Sequence, residues 1–206
     1  MGPEPTFPLW RLDRLRMSTD GEGITTLVGA HGCALRCRYC INPGCFDGSE
    51  KVEHVTPEEL YERVKRDDLY FRATNGGVTF GGGEPLIHAG FIAAFRRTVP
   101  AEWRICAETS LNLPEENVVT AAGCVDCFFV DVKETSEEIY KKYTGADNAR
   151  AMSNLALLLS LAGSGRVVVR LPLIPGFNTE GDRERSLALL RSMGAERFDL
   201  FTYRTE

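Results

Sequence analysis

Apolar and polar positions along this chain fall into two rhythms that take turns. Short β-rich runs recur at 24–30, 77–80, 103–107, 127–132, 166–171 and 198–203. The run at 127–132, Cys-Phe-Phe-Val-Asp-Val, is nearly all apolar, as a strand buried on both faces should be. Helical patterns lie between the runs. Thr56-Pro57-Glu58-Glu59 offers an N-cap Thr, Pro at the first helical position and Glu at the third, ahead of Leu60 and Val64. Thr135-Ser136-Glu137-Glu138 repeats the capping-box signal ahead of Ile139 and Tyr143. Leu155, Leu158, Leu159 and Ala162 form the stripe of an amphipathic helix, and Leu187, Leu190 and Met193 a weaker one. Helices are also predicted from about Ala89 and about Pro114.

Strands alternating with helices predict an α/β fold with a parallel sheet and helical crossovers. From Ile24 onward the chain has room for six β/α units of about 30 residues each. A closed eight-stranded barrel needs about 250 residues. The expectation is therefore an open partial (β/α)6 TIM-like barrel with parallel strands. It forms a single domain over 1–206, with 1–19 an N-terminal extension and 20–206 the core. In such sheets the chemistry sits at the C-terminal ends of the strands.

Composition narrows the function. Of 206 residues, 43% are hydrophobic and 26% charged, the balance of a folded globular protein rather than a disordered one. No apolar run approaches the ~18 residues that span a bilayer, and residues 1–10 lack the basic-then-apolar pattern of a secretory signal. The net charge of −5, with no basic block, argues against a nucleic-acid binder. A cytoplasmic protein with no membrane and no nucleic-acid partner is expected.

Seven cysteines then change the picture. An odd number without an export signal argues against a disulfide framework. Cys33, Cys37 and Cys40 crowd together directly after the first predicted strand, spaced C-x3-C-x2-C. Three thiolates can hold three irons of a [4Fe–4S] cluster and leave the fourth iron open. A zinc site usually takes four ligands in paired C-x2-C units, and here only Cys37 and Cys40 form such a pair. Positions i, i+4 and i+7 would also share one face of a helix as buried core thiols. Gly29, Gly32, Pro43, Arg36 and Arg38 argue for a loop instead. Cys45, Cys106, Cys124 and Cys127 make no convincing second cluster, and His31, His54 and His88 are scattered.

The chain resembles the radical S-adenosylmethionine (SAM) superfamily, and within it the glycyl-radical-enzyme activating enzymes such as pyruvate formate-lyase activating enzyme. The resemblance rests on six stretches in order: Asp20-Gly-Glu-Gly-Ile24, the C-x3-C-x-Tyr-C loop, Gly81-Gly82-Gly83-Glu84-Pro85, Asp131-Val132-Lys133, Tyr140-Lys-Lys-Tyr-Thr-Gly145 with Asp147-Asn148, and Arg170-Leu-Pro-Leu-Ile-Pro-Gly-Phe177. It implies that Cys33, Cys37 and Cys40 hold a [4Fe–4S] cluster whose open iron is chelated by SAM. Glu84 and the carbonyls of Gly82 and Gly83 would accept from the SAM amine, and Lys133 would meet its carboxylate. Arg170, a charge inside an apolar strand, would face the cofactor. Tyr39 would shield the cluster and lie near adenine, as would Tyr203 and Arg204, the last standing where the family has His. Glu108 and Thr109, where the family has Asp-Thr, would join Asp131 around a monovalent cation, Na+ or K+. Asp20 would contact the substrate peptide.

The expected activity is reductive SAM cleavage at the cluster, generating a glycyl radical on a partner glycyl radical enzyme, with a flavodoxin or ferredoxin-type electron donor. Two alternatives stay open from the sequence: a radical SAM enzyme acting on a small molecule or peptide, and a non-catalytic iron–sulfur electron-transfer or binding module.

Overall fold

The computed structural model describes residues 5–17, 20–46, 48 and 51–203. In chain order the elements are β1 (Phe7–Met17), β2 (Ile24–Ala30), β3 (Glu53–Val55), α1 (Pro57–Val64), α2 (Asp68–Thr74), β4 (Gly77–Gly82), α3 (Ala89–Thr98), β5 (Arg104–Thr109), α4 (Glu115–Ala122), β6 (Cys127–Asp131), α5 (Glu137–Thr144), α6 (Ala149–Ala162), β7 (Val167–Leu173), α7 (Glu180–Ser192) and β8 (Arg197–Thr202). All eight strands share one open sheet, ordered β3-β1-β2-β4-β5-β6-β7-β8. The six predicted runs are β2 and β4 to β8, and they pair in parallel throughout.

The other two strands correct the all-parallel expectation. β1 pairs antiparallel with β2, and β3 antiparallel with β1. β1 alternates Leu with Arg and Asp, so it reads as a polar extension. It is held by its apolar start: Phe7 packs on Phe80 and Phe91 with ring centroids 5.5 and 5.1 Å away.

Alternation along each strand gives the sheet two faces of opposite chemistry. Val28, Phe80, Ala107, Phe128, Val130 and Val169 belong to the apolar core, together with Leu60, Phe95, Val118, Leu155 and Leu158 of the helices. The intervening residues include Thr79, Cys106, Glu108, Asp131 and Arg170. Register sets Cys106 beside Cys127, and Arg170 between Asp131 and Asp199. β6 thus buries Phe128 and Val130 on its helix face, while Cys127, half-buried Phe129 and half-buried Asp131 share the other.

Thr56 and Glu59 form the expected capping box on α1. The second one is absent: α5 starts after Ser136, with no side-chain cap bond. Buried Glu134 accepts from the Thr135 and Ser136 amides at 2.8 and 3.3 Å, so a carboxylate outside the motif takes the two amides just ahead of the helix. An unforeseen capping box, Thr179 with Asp182, opens α7. No helix among the described residues is long and apolar enough to cross a membrane.

Candidate active site

Several loops meet at the C-terminal rim of the parallel strands. The segment after β2 carries Cys33, Cys37 and Cys40 without helix or strand, as its glycines and Pro43 predict. Main-chain bonds fix its path. Gly32 N donates to Cys45 O at 2.6 Å, Arg36 N to Thr144 O at 2.9 Å and Arg38 N to Tyr143 O at 3.1 Å. Glu84 N donates to Gly32 O at 2.8 Å, and Gly83 N to Ala30 O at 3.0 Å. The glycine turn after β4 therefore lies backbone to backbone against the cysteine loop. A Cβ on Gly83 would sit 2.1 Å from Gly32 O, so only glycine permits this approach.

The three thiols are free, half-buried, and line a cavity of about 140 Å³ with Glu84, Ser110 and Lys133. Burial pushes the Cys33 thiol up to about 11 and raises that of Cys37. Cys40 moves the other way, downward, because the neighbouring Cys45 thiol donates to it. No three His, Cys, Asp or Glu side chains among the described residues gather closely enough to hold a single ion. The three free thiols around one cavity are the donor set of a cluster in which each thiolate binds a different iron. The hydroxyls of Tyr140 and Tyr143 are buried with no hydrogen-bond partner among the described residues, and neither residue lines this cavity. Buried polar groups left unpaired are uncommon.

The rim gathers most of the other expected residues. Lys133 is buried; its Nζ lies 3.0 Å from Asp131 and donates to the Tyr203 hydroxyl at 3.2 Å. Burial opposes its charge, but Asp131, Tyr203 and Cys37 together raise its pKa well above the usual lysine value. Arg170 donates to Glu108 at 2.6 Å and lies 4.6 Å from the Phe129 ring centroid. Burial raises the Glu108 pKa, and Arg170 opposes the rise. Tyr39 donates to Pro175 O at 3.4 Å and packs edge-on to Phe177. Arg204 lies outside the described residues.

Four expectations change in detail. Glu84 is fully buried, and its carboxylate already accepts from Thr109 Oγ1 at 2.7 Å and from Ser110 N and Oγ at 2.9 and 2.7 Å. It ties the glycine turn to the end of β5. The Gly82 carbonyl accepts from Asn42 Nδ2 at 3.2 Å, which leaves it one lone pair. The oxygens expected around a monovalent cation are engaged within the chain: Glu108 by Arg170, Asp131 by Lys133, and the Thr109 hydroxyl by Glu84. Glu, one methylene longer than Asp, meets the Arg170 guanidinium. Asp20 is buried, with both carboxylate oxygens bonded by Arg16, one at 2.9 Å. The sequence reading passed over Ser110, Asn42 and Arg16. Only Arg16 had a signal, its four-residue spacing from Asp20.

A second cavity of about 560 Å³ shares Asn42, Glu108, Asp131, Arg170 and Tyr203 with the first. Asp20, Arg16 and Phe201 extend its wall. Its size suits a small molecule or a few residues of an extended peptide.

Residues 27–190, which carry the three-thiol loop and the parallel strands up to β7, match the Radical SAM superfamily, to which this chain belongs. Its relatives include the (2S)-3-sulfopropanediol dehydratase activating enzyme of Klebsiella oxytoca, 32% identical over 87% of this chain and 75% of that protein. The isethionate sulfite-lyase activating enzyme of Desulfovibrio desulfuricans is 27% identical over 83% of this chain and 73% of its own length. The pyruvate formate-lyase-activating enzyme of Staphylococcus aureus is 28% identical over 90% and 77%. The chain is thus a homologue of glycyl-radical-enzyme activating enzymes. Among solved structures, Streptococcus suis SuiB bound to its precursor peptide SuiA superposes with TM-score 0.66 at 12% identity, covering 86% of this chain and 38% of that one. Methylornithine synthase gives 0.56 at 14% identity, covering 84% and 50%. These two similarities concern the fold.

Proposed function

We propose that this chain reductively cleaves SAM at a [4Fe–4S] cluster held by Cys33, Cys37 and Cys40 and generates a glycyl radical on a partner glycyl radical enzyme. The observation that carries the reading is the placement of three free thiols and a buried lysine around one cavity that opens into a larger one. When bound, the reduced cluster and SAM supply the radical chemistry; the chain supplies position and charge. Lys133, held by Asp131 and Tyr203, presents a desolvated cation to the SAM carboxylate. Glu84, fixed by Thr109 and Ser110, and the backbone of Gly82 and Gly83 would accept from the SAM amine. Tyr39 and Tyr203 are the residues proposed to lie beside adenine; Tyr203 lines both cavities. Arg170, paired with Glu108, lines both cavities. Asp20, set by Arg16, borders the larger cavity that receives the glycyl-bearing peptide. A flavodoxin or ferredoxin-type protein is the proposed electron donor.

The test is anaerobic reconstitution followed by reduction and mixing with three glycyl radical enzymes in turn: sulfopropanediol dehydratase, isethionate sulfite-lyase and pyruvate formate-lyase. These are the enzymes that the relatives' names specify. A glycyl radical in the electron paramagnetic resonance spectrum of one of them is expected. Formation of 5′-deoxyadenosine without a glycyl radical on any of them would favour a small-molecule or peptide substrate. A cluster without SAM cleavage would favour an electron-transfer or binding module.

A further inference from the structure

Cys106 of β5 and Cys127 of β6 are direct partners in a parallel pair. Their side chains therefore point to the same face, and their Cα atoms lie one strand spacing apart, ~4.8 Å. Both are free and buried. They line a cavity of about 280 Å³ together with Arg104 and Arg197, the first residues of β5 and β8. Glu22 and Asp199 stand on the same wall with side chains 62% and 53% exposed, so the cavity reaches solvent. It shares Arg170 and Asp199 with the larger rim cavity and includes none of the three loop thiols. The proposed reaction makes no use of this pair.

Spacing decides what two such thiols can hold. A disulfide needs Cβ atoms about 3.5–4.5 Å apart. Parallel side chains on in-register strands keep their Cβ atoms near the strand spacing of ~4.8 Å, just beyond that range. One metal ion between two sulfurs spans twice a metal–sulfur bond of ~2.3 Å, or ~4.6 Å, which fits without moving either strand. The ion must be content with two ligands. Zinc takes four, and among the described residues no third His, Cys, Asp or Glu gathers with the pair. Cu(I) is soft and selects thiolates. Charge agrees with this choice. Two thiolates and one Cu+ leave a single negative charge, and Arg197 on the cavity wall donates to a carbonyl, Gly165 O, at 2.7 Å rather than to a carboxylate.

We infer that Cys106 and Cys127 form a two-coordinate site for one Cu(I) ion, near the starts of the strands and apart from the cysteine loop. Cu+ replaces one proton on each thiol, two protons leave to solvent, and no oxidation state changes. The bound ion joins β5 to β6 and stabilises the folded chain by linkage. The inference does not depend on the cluster assignment.

The experiment uses the full chain carrying Cys33→Ala, Cys37→Ala and Cys40→Ala together, so that the loop thiols cannot compete. This parent chain is titrated anaerobically with Cu(I) against a chromophoric Cu(I) chelator. About one tightly held copper per chain is expected, with two sulfur neighbours and no nitrogen or oxygen in its X-ray absorption spectrum. Adding Cys106→Ser or Cys127→Ser should abolish that retention, and adding Cys45→Ser or Cys124→Ser should leave it unchanged. Cu(I) should raise the unfolding temperature of the parent and leave that of the Cys127→Ser variant where it was. The absorption spectrum needs only the parent, so it decides even where a serine variant fails to fold. A parent that yields its copper to the chelator, copper retained in Cys127→Ser, or nitrogen or oxygen ligands on the copper overturns the inference. A Cys106–Cys127 disulfide formed in place of the complex overturns it too.

Discussion

Two groups of cysteines occupy opposite settings in this sheet. Cys106 and Cys127 sit side by side on adjacent parallel strands, both buried, as neighbours in a ladder. Cys33, Cys37 and Cys40 sit on a loop at the strand ends, half-buried around a cavity that also holds Lys133. Thiol proximity is common to both groups and so does not make a cluster site. What separates them is backbone. The strand pair brings only two thiols, Cys106 and Cys127, to the wall of a cavity of about 280 Å³, whereas the loop brings three to one cavity, enough for three irons of a cluster. The loop is held by main-chain bonds to Cys45, Tyr143, Thr144 and Glu84, so its thiols face one another across open space.

The largest contrast is expected in iron content. Cys37→Ala should lose most of the about four irons that a [4Fe–4S] cluster brings to each chain, while Cys127→Ala should keep them. Iron analysis after anaerobic reconstitution checks this, and loss of half the iron in Cys127→Ala would reveal a second cluster.

Alkylation of the metal-free chain, mapped by peptide mass spectrometry, sharpens the same contrast. Cys40 should label faster than Cys33 at neutral pH, because the Cys45 thiol donating to it lowers its pKa. Cys33, shifted up to about 11, should label slowly at pH 7 and about tenfold faster for each pH unit up to pH 10. Buried Cys106 should label only as fast as the fold opens, on the order of a thousandfold more slowly than Cys40. Equal labelling of Cys106 and Cys40 would contradict the burial described here.

Lys133→Met tests the cation at the thiol cavity. A charge-assisted contact is worth roughly 1.5–3 kcal/mol, so SAM affinity measured by anaerobic calorimetry should fall about 10- to 150-fold. Unchanged affinity would place the SAM carboxylate elsewhere. The smallest effect tests the backbone itself. Gly83→Ala drives a methyl into Gly32 O and should cost about 2 kcal/mol of stability in denaturant titrations, with part of the iron lost; a neutral result would show that the two loops can separate freely.

Much of this arrangement was legible in the sequence, for identifiable reasons. Strand–helix rhythm is local, so the six parallel strands and the helices between them could be read directly. The thiol loop could be read from spacing and from the glycines and Pro43 around it. β1 could not, because its Leu and Arg alternation suits a solvated edge as well as a strand, and only pairing with β2 and β3 decides. Engagement of the charges was hidden for the same reason. Glu108 meets Arg170 across 62 positions and Lys133 meets Tyr203 across 70, distances over which no pattern in one chain reports contact. The capping signal at Thr135 misled because Glu134, one position earlier, takes the amides instead.

The central claim is that the thiol loop, and not cysteine content in general, makes this chain a SAM-cleaving enzyme. It is tested most directly by measuring 5′-deoxyadenosine after anaerobic reconstitution, chemical reduction and addition of SAM, in wild type, Cys37→Ala and Cys127→Ala side by side. The account predicts product from wild type and Cys127→Ala and none from Cys37→Ala. Product from Cys37→Ala at the wild-type level would contradict it.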